Sequence, residues 1–126
     1  MTHPPTAQVA YVVRPEHTAR AVGSGDLDVL GTPVLLAWCE EATCAALDLS
    51  AGRTSVGVGV RIEHLAASPV GATVTATARV LELDERRAHF FVSASDEHGT
   101  LLCRGEVDRA IVDRERFLAR VPRVGD

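Results

Sequence analysis

Residues 73–80 alternate without a break: Val74, Ala76, Ala78 and Val80 share one parity, and Thr73, Thr75, Thr77 and Arg79 the other. A period of two marks a strand with one buried face, here running over residues 72–83. The Val80-Leu81 step breaks the alternation and predicts a bulge. After a charged turn at residues 84–87, Ala88, Phe90, Val92 and Ala94 alternate in the same way. Residues 96–100 form a hairpin turn containing Gly99 and lead into a last strand over residues 101–112. Upstream, residues 55–65 are rich in valine and isoleucine and are broken by Ser68-Pro69-Val70-Gly71. A short β-rich run at residues 9–14 ends at Pro15.

One segment has a different character. Residues 34–49 hold neither glycine nor proline and are rich in leucine and alanine, which predicts a helix of about four turns. Thr32 is placed as its N-cap and Pro33 as its first helical residue. Its only charges are Glu40, Glu41 and Asp48, and a helix apolar nearly all round is a buried one. Residues 23–31 read as a loop long enough to act as a flap, and residues 114–120 as a short terminal helix. The order is strand, loop, long helix, then four hairpin-type strands. An antiparallel sheet of five strands wrapped around one central helix follows, an α+β hot-dog arrangement. Residues 1–126 form one domain on this reading, with an ordered core over about 9–121.

Composition changes the picture in three ways. The apolar residues are chiefly 18 alanines and 17 valines, so a chain of 126 residues has a thin core, and oligomerisation is expected. All 13 basic residues are arginine, which excludes Schiff-base chemistry, a P-loop lysine and a lysine general base. A net charge of −4 and a pI near 5.7 argue against a general nucleic-acid binder. Cys39, Cys44 and Cys103 are odd in number and lack a Cys-x-x-Cys pair, which fits reduced cytosolic thiols. Neither a signal peptide nor a membrane-length apolar segment is read, so a soluble, cytoplasmic protein is expected.

Few residues suit chemistry. Glu40 and Glu41 lie in mid-helix ~100° apart, so at most one of them enters a given pocket. A buried carboxylate requires a partner. His64 ends a strand whose Gly57 and Gly59 imply a close approach to the backbone. Thr32 is accounted for by capping. A Cys39–His64 nucleophile pair is disfavoured, because buried cysteine usually acts as a small hydrophobe. His89, on the polar face of its strand, and His98, in a turn, are read as solvent-facing. No phosphate loop or metal-ligand spacing stands out.

Thr32, Glu40, Ser55-Val56-Gly57, the run from His64 to Gly71 and the segment from Gly105 to Val112 together resemble the fluoroacetyl-CoA thioesterase group of single-hot-dog enzymes. The resemblance extends over about residues 9–121. It implies a catalytic set of Thr32, Glu40 and His64, choosing Glu40 over Glu41. It puts the Gly57 backbone beside the thioester and Arg109 at the substrate-binding edge of the site. It also implies homodimers with sites at the subunit interface. No cofactor is implied, since coenzyme A arrives as part of the substrate. Two departures stand out: residues 23–31 carry Leu27, Val29 and Leu30 but no aromatic where the fluoroacetate-specific enzyme has a phenylalanine lid, and Pro33 replaces a usual glycine.

The expected function is hydrolysis of a small or medium acyl-CoA, or a related pantetheine thioester. Glu40 serves as base or nucleophile, with His64 and Thr32. The alternative is a non-catalytic hot-dog dimer that binds an acyl-CoA or a small hydrophobic ligand. A hydratase is disfavoured because His64 has no nearby aspartate in the sequence.

Overall fold

The computed structural model describes residues 5–125. Strand β1 (Thr6–Val12) leads through a 3₁₀ turn at Pro15–His17 and the short helix α1 (Ala19–Val22) to the long helix α2 (Thr32–Ala46). Strands β2 (Arg53–His64), β3 (Thr73–Leu83), β4 (Arg87–Asp96) and β5 (Leu101–Asp113) follow, then helix α3 (Arg114–Ala119). All five strands join one antiparallel sheet in the order β1-β3-β4-β5-β2, with α2 packed against its buried face.

The expected chain of four hairpins holds for β3, β4 and β5 only. β2 does not pair with β3 but crosses to the far side of β5. The connection is pinned to both ends of its path. Leu65 and Ala66 donate backbone hydrogen bonds to Leu102, and Leu30 donates to the Ser68 carbonyl. β1 and β2 are therefore the two edges of the sheet.

The alternating positions behave as their period requires. Val74, Ala76, Ala78 and Val80 of β3 and Ala88, Phe90, Val92 and Ala94 of β4 are buried, with Leu35, Trp38, Cys39, Ala42 and Ala46 of α2 in the same core. The predicted bulge is present: the β3–β4 register shifts between Val80 and Glu82. A second shift separates Gly57 from Gly59 on β2. At Gly105 a Cβ would lie 1.8 Å from the Arg61 carbonyl oxygen, so only glycine permits this approach of β2 to β5.

Helix α2 departs from expectation at both ends. Gly31, not Thr32, is the N-cap, which makes Thr32 the first helical residue. Pro33 is tolerated in the first turn because N–H groups there have no helical partner. The helix stops at Ala46, since Leu47 is already extended at ψ 131°. Nor is it buried all round: Pro33, Ala37, Glu41, Cys44 and Ala45 are exposed in the single chain.

Candidate active site

The cap at Gly31 has a chemical consequence. The Thr32 hydroxyl makes no capping bond and instead meets Nδ1 of His64, the last residue of β2, at 2.7 Å. Nε2 of His64 is buried without a hydrogen-bond partner among the described residues. A cavity of about 350 Å³ opens beside the pair, lined by Thr32, His64, Leu65, Ala66 and Ala67.

Two turns further along α2, Glu40 reaches the middle of β2. Its Oε2 sits so close to Gly57 that a Cβ there would lie 2.5 Å away. The close approach read from Gly57 and Gly59 holds at Gly57, where a carboxylate of the same chain makes it, and not at Gly59, where a Cβ would meet nothing nearer than 3.7 Å. Glu40 remains 31% exposed at its side chain, so it is open to water or substrate. Glu41 faces elsewhere, accepting a 2.5 Å hydrogen bond from the Tyr11 hydroxyl. Tyr11 stacks on Trp38 with ring centroids 4.3 Å apart. Burial, then the Glu41 hydrogen bond, raises the Tyr11 pKa well above its ordinary value, so the phenol stays a donor.

Arg109 supplies the cation that Glu40 requires. It is 6% exposed, and its Nη1 lies 3.4 Å from Glu40 Oε2. Nε donates to Ser55 Oγ at 2.8 Å and Nη2 to the Ser55 carbonyl at 3.3 Å. β5 places Arg109 directly opposite Gly57. Ser55 entered the sequence reading only as part of a motif, and nothing in its periodicity signalled a partner 54 residues away.

Within one chain these residues form two groups, Thr32 with His64 and Glu40 with Gly57 and Arg109. Eight residues of helix separate Thr32 from Glu40 by ~12 Å, too far for a direct bond. The other candidates fall outside both groups. Cys39 lies 3.7 Å from Cys103, sulfur to sulfur, in the core, and the hydrogen bond to Cys103 and burial hold its thiol protonated. His98 is exposed as expected. His89 is not: it is half-buried, with Nδ1 2.5 Å from Asp108 and Nε2 3.1 Å from Glu106. Its polar strand face is shared with acidic side chains of β5, which the alternation of β4 alone does not reveal.

Solved structures with the same architecture define the class. The structure of the fluoroacetyl-CoA thioesterase FlK superposes with a TM-score of 0.86 at 28% identity, covering 97% of this chain and 98% of that one. A thioesterase superfamily member from Thermus thermophilus gives 0.86 at 26% identity over 94% and 88%. A hot-dog-like protein from Thermanaerovibrio acidaminovorans, at 0.81 and 22% identity over 98% and 95%, supports the fold alone. The protein is a hot-dog enzyme of the thioester-hydrolase class.

The sequence comparisons narrow this further. Residues 13–115 match the model of the fluoroacetyl-CoA-specific thioesterase family, and the chain belongs to that family. The fluoroacetyl-CoA thioesterase of Streptantibioticus cattleyicolor is 34% identical over 99 residues, which is 75% of this chain and 68% of that protein.

Proposed function

We propose that the protein hydrolyses small or medium acyl-CoA thioesters, with Glu40 as the base or nucleophile and Thr32 and His64 assisting. The observation that carries this reading is the Glu40 carboxylate, pressed on Gly57 and backed by a buried arginine. A variant of the related FlK enzyme was solved with acetyl-CoA, and another with fluoroacetate and CoA, which supports this substrate class.

As a base, Glu40 accepts a proton from water while the water oxygen adds to the thioester carbonyl. Collapse of the tetrahedral intermediate expels the coenzyme A thiolate, which takes the proton back from Glu40. The products are the free acid, which ionises in water, and coenzyme A thiol. The Gly57 backbone, with no Cβ in the way, lies beside the thioester in this reading. Thr32 and His64 share a proton across their 2.7 Å contact and are suited to holding the acyl end or the attacking water. Residues 23–31 hold no aromatic, Leu27 is exposed and Leu30 is locked in the core rather than free on a flap, so nothing there selects a fluoroacetyl group.

The working unit we propose is a homodimer. β2 is a 12-residue edge strand with an exposed Val58 at its bulge, and α2 leaves Pro33, Ala37, Cys44 and Ala45 uncovered. Pairing there fits a site shared between subunits. The three free cysteines fit a reducing, cytoplasmic setting.

Release of free thiol from a panel of acyl-CoAs, fluoroacetyl-CoA and acetyl-CoA included, tests the assignment. Glu40→Gln is expected to lower turnover by roughly 10²–10⁴-fold. Equal rates in the two proteins overturn the role of Glu40. Calorimetric binding without turnover in the wild type favours a ligand-binding dimer instead.

A further inference from the structure

We infer that Ser55 and Arg109 are positioning residues for Glu40: Ser55 locks the Arg109 guanidinium, and Arg109 holds the carboxylate over Gly57. This inference rests on the catalytic reading of Glu40 but assigns Arg109 a different task from substrate contact.

The sheet register explains how the three meet. Ser55 and Gly57 are two apart on β2 and share a face, because side chains alternate along a strand. Arg109 lies opposite Gly57 on β5, diagonal to Ser55 and on the same face. Position 57 has no side chain, and the space left there admits both charged groups. A Cβ would stand 2.5 Å from Glu40 Oε2 and 3.5 Å from Arg109 Nη1.

Each of the three guanidinium nitrogens has a partner. Nε and Nη2 are taken by the hydroxyl and carbonyl of Ser55, at 2.8 and 3.3 Å, so the planar fork cannot rotate. The edge left over presents Nη1 to Glu40 Oε2. At 6% exposure the group has little surface left for the phosphates of coenzyme A. A buried guanidinium must be paired, and here the pair is the carboxylate that the chemistry uses. Glu40 is thereby held with one oxygen on Arg109 and the other, Oε1, without a protein hydrogen bond among the described residues.

The test compares kcat and KM for wild type, Ser55→Ala, Ser55→Thr, Arg109→Lys, Glu40→Gln and the Ser55→Ala/Glu40→Gln double variant, each checked by circular dichroism and melting. Thiol release is read with acetyl-CoA or whichever panel member the wild type turns over fastest. Ser55→Ala is expected to lower kcat about tenfold, leaving KM within about twofold. Ser55→Thr, which keeps the hydroxyl, restores most of kcat. Arg109→Lys, whose ammonium cannot span Ser55 and Glu40 together, behaves like Ser55→Ala and serves if the latter fails to fold. The double variant is expected to be no slower than Glu40→Gln, because the relay acts through that carboxylate. A raised KM with unchanged kcat in Arg109→Lys makes Arg109 a substrate contact and overturns the inference, as does multiplicative loss in the double variant. Wild-type kcat in Ser55→Ala with an inactive Glu40→Gln removes the relay alone. Wild-type activity in Glu40→Gln removes the catalytic reading and the relay with it.

Discussion

The carboxylate of Glu40 occupies space that a side chain at position 57 would fill. Gly57→Ala therefore forces either the new methyl or the carboxylate to move, and the carboxylate is the more mobile of the two. Thiol release is expected to fall at least about tenfold. The melting temperature should scarcely change, since what gives way is the end of a flexible side chain and not the backbone. Full activity in this variant would show that the contact is incidental. Residue patterns went only part of the way here. Two adjacent glutamates ~100° apart on a helix could not be told apart by spacing. Tyr11 separates them by binding Glu41, and that partner lies 30 residues away. Ser55 was less visible still, because its role depends on a diagonal across two strands distant in sequence.

At the level of elements, the strands were legible because burial of one face imposes a period of two. β3 and β4 were found with their buried parities correct, and the bulge after Val80 was marked by one broken alternation. The partner of β2 was not legible. Its own residues would suit either edge, and the choice is made by the crossing at residues 65–72, pinned to Leu102 and Leu30. Thr32 has the residue type of a cap but is the first helical residue, because glycine also caps helices and Gly31 does so here.

The β4–β5 pair carries a prediction of its own. The Asp108 hydrogen bond, then that of Glu106, raises the His89 pKa above 6.5 against the opposing effect of burial. Folding therefore strengthens proton binding. The stability from this cluster is complete below the unfolded value near 6.5 and is lost as pH rises through the higher folded one. Glu106 runs the other way, its pKa lowered by His89 and then Arg61, so its share is lost as pH falls through the folded value. Solvent exposure keeps both effects small. Urea melts between about pH 6 and 8.5 should show wild type losing stability with rising pH, and His89→Gln lacking that slope. Parallel curves would remove His89 as the cause.

On the scale of the whole molecule, the thin core of alanine and valine, the long bare edge of β2 and the open face of α2 all call for a second chain. Light scattering is expected to give a mass of twice the 13.4 kDa chain. A monomer at micromolar concentration would sink the dimer. One further consequence follows from where the two groups of polar residues sit. Thr32 meets His64, and Glu40 meets Gly57, so both join α2 to β2 and none of these contacts lies in the core between α2 and β3. β2 is held to β5 along nearly its whole length, and in the proposed dimer it becomes the seam between the chains, so both polar groups sit where the two subunits meet. Dilution that parts the subunits would therefore silence this enzyme while each chain stays folded, and concentrating it would bring the activity back.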